Sequence, residues 1–86
     1  MTCSIRIKRS AARELSRIPR EDRVRIVRAI DGLAKQPLSG SALKGELRGL
    51  RRIRAGRHRV VYEVLDGELI VLVVRVAHRR EAYRGR

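Results

Sequence analysis

Asp66-Gly67 separates two runs rich in β-branched residues, Arg57–Leu65 and Glu68–Val76. Between alternating segments, Asp-Gly is a strong hairpin signal, because both residues tolerate the backbone angles that tight hairpin turns need. A hairpin there commits this half of the chain to an antiparallel sheet. Ala55-Gly56 repeats the signal more weakly between Leu50–Arg54 and Arg57–Leu65, which adds a third strand. Upstream, Ser4–Lys8 alternates apolar and polar residues and predicts a first strand. Ser10 then suits the cap of a helix running through Arg17, with Ala11, Ala12, Leu15 and Ile18 on its apolar side. Pro19 breaks that helix and opens a second, in which Val24, Val27, Ile30 and Ala34 recur at helical spacing, widened by Ile26 and Leu33. Turn-rich Gln36–Ser41 ends the helical part. The order is β-α-α-β-β-β: an α+β fold with an N-terminal helical hairpin packed on a small antiparallel sheet, residues 1–86 forming a single domain.

Little in the composition reinforces so small a core. Cys3 is the sole cysteine, so no intrachain disulfide forms, and no Cys/His cluster has metal-ligand spacing; neither a metal nor a cofactor is expected. The longest wholly apolar stretch, Leu69–Val74, suits a buried strand and falls far short of a membrane span, and no leader pattern opens the chain. A cytoplasmic protein without membrane attachment is expected. The net charge of +13 on 86 residues calls for an anionic partner, and with 43% hydrophobic residues the chain reads as a folded basic domain. Nucleic acid, an acidic protein and an anionic membrane surface are the candidate partners.

Strand alternation decides where that charge points. With Asp66-Gly67 as a two-residue turn, Leu65 faces Glu68 and Arg59 faces Val74; with Ala55-Gly56 as another, Arg54 faces Arg57 and Arg52 faces Arg59. One sheet face then holds His58, Val60, Tyr62, Val64, Leu69, Val71 and Val73 under the helices. The opposite face carries Arg52, Arg54, Arg57 and Arg59 beside Val61, Leu72 and Val74. Like charges set opposite one another destabilise a sheet, so converging guanidiniums point to an anion cradle, and their planar fork matches phosphate. The plainer alternative is that these arginines splay into water. Beyond the last strand, His78 is either an acid–base group or structural. Tyr83 either stacks on a base or lids the sheet edge.

Several stretches together carry a resemblance: Leu43-Lys44-Gly45-Glu46-Leu47, Arg52-Ile53-Arg54-Ala55-Gly56, Arg59-Val60-Val61-Tyr62-Glu63, and the closing Val74–Tyr83 with its His78-Arg79-Arg80-Glu81-Ala82-Tyr83. They resemble the RelE-like toxins of toxin–antitoxin pairs over nearly the whole chain. That resemblance implies a ribosome-dependent mRNA endoribonuclease, which cuts in the A site through the RNA's own 2′-hydroxyl and leaves a 2′,3′-cyclic phosphate. It implies Arg59, Arg79 and Tyr83 as catalytic: Arg59 on the scissile phosphate, Arg79 at the departing 5′-oxygen, Tyr83 on the nucleotide. Lys44, Arg52 and Arg54 would grip the RNA backbone, with Arg57, His78 and Arg80 completing the RNA-binding set. The implied partners are the ribosome, mRNA and a cognate acidic antitoxin in a hetero-oligomer. His58 stands where the family usually has tyrosine, and Arg57 where it usually has an acidic residue. Two alternatives remain at this point: a ParE-like toxin that inhibits DNA gyrase without nuclease activity, and a non-catalytic basic RNA-binding module.

Overall fold

Alanine, leucine and glutamate favour helix, and Arg9–Ser16 forms the first one, α1. It begins two residues earlier than Ser10 capping would require: Ala12 donates its amide to the Lys8 carbonyl, Lys8 occupies the cap, and no side chain closes it. Pro19 ends this segment and caps α2, Arg20–Gly32, whose first turn carries Glu21 and Asp22 against the positive end of the helix dipole. The computed structural model describes residues 2–78. Strands β1 (Ser4–Ile7), β2 (Ser41–Ala42), β3 (Arg51–Ala55), β4 (His58–Leu65) and β5 (Ile70–His78) complete the fold. They form one five-stranded sheet in the order β1-β5-β4-β3-β2.

The α+β architecture is the expected one, and three details correct the expectation. The sheet is mixed, since β1 pairs with β5 in parallel, Ile5 beside Val71 and Ile7 beside Val73. The helical hairpin carries the chain across one face to the far edge, and the β2–β5 meander returns to lie alongside β1. Alternation in a sequence assigns faces but neither neighbours nor direction. Second, Gly56 (φ 64°) is the first turn residue between β3 and β4, so Ala55 pairs with His58 and Arg54 with Arg59. A glycine leading a two-residue turn is the type II′ pattern. Third, Asp66-Gly67 lies in a longer connection, a single 3₁₀ turn at Asp66–Glu68 followed by Leu69 in the left-handed region (φ 54°). Leu65 therefore pairs with Ile70, and a bulge between Val61 and Tyr62 moves the upper register so that Arg59 meets Ala77.

The core lies between the helices and one face of this sheet. Tyr62, Val60, Val71, Val73 and Val76 from the strands pack with Ile26, Ile30, Leu33 and Ala11. Full burial of each large apolar side chain contributes roughly 1.5–3 kcal/mol. The buried stripe of α2 runs through Ile26, Ile30 and Leu33, while Val24 and Val27 remain about two-fifths exposed (41% and 39%). Tyr62 adds a polar clasp beneath this core. Its hydroxyl donates to the Pro37 carbonyl (2.7 Å) and accepts the Gly40 amide (3.0 Å), tying the loop before β2 to the central strand. A Cβ on Gly40 would sit 2.6 Å from that hydroxyl and 2.7 Å from the Arg52 carbonyl, so only glycine fits there. Burial pushes the Tyr62 phenol above its usual 10.0, against the smaller lowering effects of the Gly40 amide and the Arg51 charge.

Candidate functional site

Arg54 and Arg59 face each other directly across β3 and β4, and Arg52 lies two residues along β3 on the same side. Parity is what preserves the cluster. The turn is displaced from the expected position by one residue, which moves the pairing by two, and a two-residue shift leaves every side chain on its face. Arg57 alone drops out, exposed within the turn. Two adjoining concavities share Arg54: one of about 140 Å³ lined by Arg54, Gly56, His58 and Arg59, the other of about 400 Å³ with Arg52 and Arg54 beside Ser39–Ser41. Val61 and Ala77, paired with Arg52 and Arg59 respectively, are buried (3% and 8% exposed) yet stand apart from the main core cluster. Like charges held this close on a partly apolar floor favour an anion with several acceptor oxygens.

Arg51 belongs to the same arginine-rich stretch but does different work. Its guanidinium donates to the carbonyls of Gly40 (2.8 Å) and Leu38 (3.4 Å), beside the Tyr62 clasp. It holds the loop that leads into β2.

Where β4 begins and β5 ends, His58 and His78 are paired residues, and their rings meet edge to face with centroids 5.8 Å apart at 76°. A groove of about 350 Å³ opens beside them, lined also by Glu14, Arg17 and Arg75. Glu14 reaches from α1 to β5 at two points. One carboxylate oxygen accepts the Val76 amide at 2.9 Å, and the other lies 3.4 Å from the Arg75 Nε. β1 pairs with β5 only as far as Val73, and beyond that point this carboxylate fixes the end of β5 against the helix.

Of the residues expected from the sequence, Arg52, Arg54 and Arg59 come together on one face. His78 lies apart from them, in the groove beside α1. Lys44 is exposed on the connection between β2 and β3, at the end of β3 remote from Gly56. Arg79, Arg80 and Tyr83 lie outside the described residues, though β5 ends at His78, immediately before Arg79. Glu14 went unnoticed, and a signal for it existed: it shares the apolar stripe of Ala11, Leu15 and Ile18, where an acidic side chain needs a partner.

A family model described as the ParE toxin of the parDE type II toxin–antitoxin system matches residues 5–83. The chain is similar to the toxin RelG of Mycobacterium tuberculosis, 33% identical over 86 residues, covering 98% of this chain and 99% of that one. It is also similar to the toxin RelE of the same organism, 35% identical over 82 residues, 93% of this chain and 84% of the relative. Among solved structures, the toxin–antitoxin complex RelBE2 from M. tuberculosis contains a chain similar to this one with a TM-score of 0.84 and 31% identity, over 92% of this chain and 100% of that one. The archaeal RelE–RelB complex from Pyrococcus horikoshii shows the same fold at a TM-score of 0.76 and 24% identity, covering 95% of this chain and 100% of that one.

Proposed function

The chain belongs to the RelE/ParE superfamily as a RelE-like toxin of a type II toxin–antitoxin pair, and on that premise we propose that it is a ribosome-dependent mRNA endoribonuclease. The observation that carries this reading is the convergence of Arg52, Arg54 and Arg59 on one sheet face, with Arg54 and Arg59 directly opposed. Cleavage by the RNA's own 2′-hydroxyl needs no covalent enzyme intermediate. It needs the phosphate held in line and its growing charge neutralised. Arg59, rooted in the central part of the sheet, stabilises that charge; Arg52 and Arg54 hold the backbone on either side. Arg79 assists the departing 5′-oxygen and Tyr83 stacks on the nucleotide, both on the segment that follows β5. Arg57, Lys44 and Arg80 add diffuse attraction for RNA.

The partner in this reading is a cognate antitoxin, as in the two similar complexes. A net charge of +13 favours an acidic segment that orders itself on the toxin. Among the described residues, no helix is long and apolar enough to cross a membrane.

The ParE description of the matching family model favours a second reading, inhibition of DNA gyrase. One experiment separates the two: induced expression, followed by mapping of 5′ ends on translated messages beside an assay of plasmid supercoiling. New 5′ ends within translated codons, with supercoiling unchanged, are the expected result. Relaxed plasmid and intact messages would overturn the nuclease reading.

A further inference from the structure

Arginine stays protonated at working pH, so the cluster of Arg52, Arg54 and Arg59 can neutralise charge but cannot take the proton from a 2′-hydroxyl. By strand alternation His58 projects to the other face from its neighbour Arg59, with His78, but it opens β4 at the hairpin end and so stands at the rim of the arginines' cavity. It borders the 140 Å³ cavity together with Arg54 and Arg59, and it also borders the larger groove on the α1 side. Its Nδ1 is buried and has no hydrogen-bond partner among the described residues. A histidine kept for architecture is ordinarily held by hydrogen bonds through its ring nitrogens. Here the ring is steadied by the edge-to-face contact with His78.

Resting on the nuclease reading, we propose that His58 is the general base of the cleavage, acting on a phosphodiester held by Arg54 and Arg59, and that His78 is its positioning partner. The neutral imidazole of His58 takes the proton of the 2′-hydroxyl. The 2′-oxygen forms a bond to phosphorus as the bond from phosphorus to the 5′-oxygen breaks. The 5′-oxygen leaves with a proton from solvent, and His58 returns its own proton to water, so nothing else is consumed. Among the described residues, the charged groups around the pair are Glu14 from α1, Arg17 just after it, Arg75 from β5, Arg54 from β3 and Arg59 from β4. Glu14 is engaged with Arg75 and the Val76 amide.

The test is single-turnover cleavage of a programmed ribosome from about pH 5 to 9, for the parental protein, His58→Gln, His58→Ala and His78→Gln. Ribosome binding and thermal melting are measured on the same preparations. The parental rate should rise with pH through one ionisation and then level off. His58→Gln should cut on the order of a hundredfold more slowly, with that inflection gone and binding kept. Imidazole added to His58→Ala should restore part of the rate. His78→Gln should retain the inflection, displaced along the pH axis. A parental profile without an inflection overturns the proposal while leaving the nuclease reading intact, and so does a His58→Gln variant that cuts like the parent. A parental protein that cuts no programmed ribosome at any pH overturns the nuclease reading, and this proposal with it.

Discussion

Replacing Tyr62 by Phe removes one oxygen and leaves the ring packed, which isolates the clasp beneath the arginine-bearing strands. The hydroxyl joins Pro37 and Gly40, residues 25 and 22 positions away, through bonds of 2.7 and 3.0 Å. Each hydrogen bond contributes about 0.5–1.5 kcal/mol net, and a buried group stranded without its partner costs about 1–3 kcal/mol. Both the Gly40 amide and the Pro37 carbonyl lose a partner, and Gly40 lies against the Arg52 carbonyl where water enters poorly. A loss of about 2–3 kcal/mol follows. In a domain of this size, 1 kcal/mol moves the midpoint of melting by about 4–8 °C, so Tm should fall by roughly 10–20 °C. Urea unfolding at neutral pH is the direct assay. The expected result is a lower midpoint with an unchanged slope, which reports stability and not a change in the surface exposed. A loss under about 0.5 kcal/mol would refute the reasoning, since it would mean that the loop holds its position without the phenol.

Two further outcomes follow from the same contacts and from the register. Because the Tyr62 phenol is raised above its unfolded value of 10.0, its stabilisation is complete below about pH 10 and is lost as pH rises through the folded value; unfolding midpoints measured from pH 8 to 11 should fall faster for the parent than for Tyr62→Phe. Arg54→Gln should weaken RNA binding and lower its salt slope by about 0.7–0.9, whereas Arg57→Gln, exposed in the turn, should change the slope by less than half as much; equal effects would place Arg57 in the cluster after all.

The sequence showed which residues belong to which face better than it showed how the strands meet. Val60, Tyr62, Val71 and Val73 were readable as core because a period of two survives any shift of pairing by two residues. The same arithmetic kept Arg52, Arg54 and Arg59 together when the turn proved to be Gly56-Arg57. Turn type was harder to read. A glycine can occupy either central position of a hairpin, and Asp66-Gly67 gave its left-handed residue to Leu69. The parallel edge made by β1 and the bulge in β5 leave no local mark, since both arise from how distant segments share one sheet. On α2 the buried stripe turned toward Ile26 and Leu33 and away from Val24 and Val27, because a helix with apolar residues on several sides is oriented by what it packs against. Glu14 and the His58–His78 contact join segments far apart in the chain, so neither appears as a motif. Lys44 was carried by the family motif alone, and no strand pairing in the sequence places it relative to the arginines.

Arg59 bears the central claim, that this face cuts RNA as well as holding it. The most direct measurement is single-turnover cleavage of a messenger in a programmed ribosomal A site by Arg59→Ala, with ribosome binding determined for the same protein. Removing one preorganised charge from the transition state should slow cutting by roughly a hundredfold or more while binding stays within a few-fold. Cleavage by Arg59→Ala at the parental rate would contradict the claim.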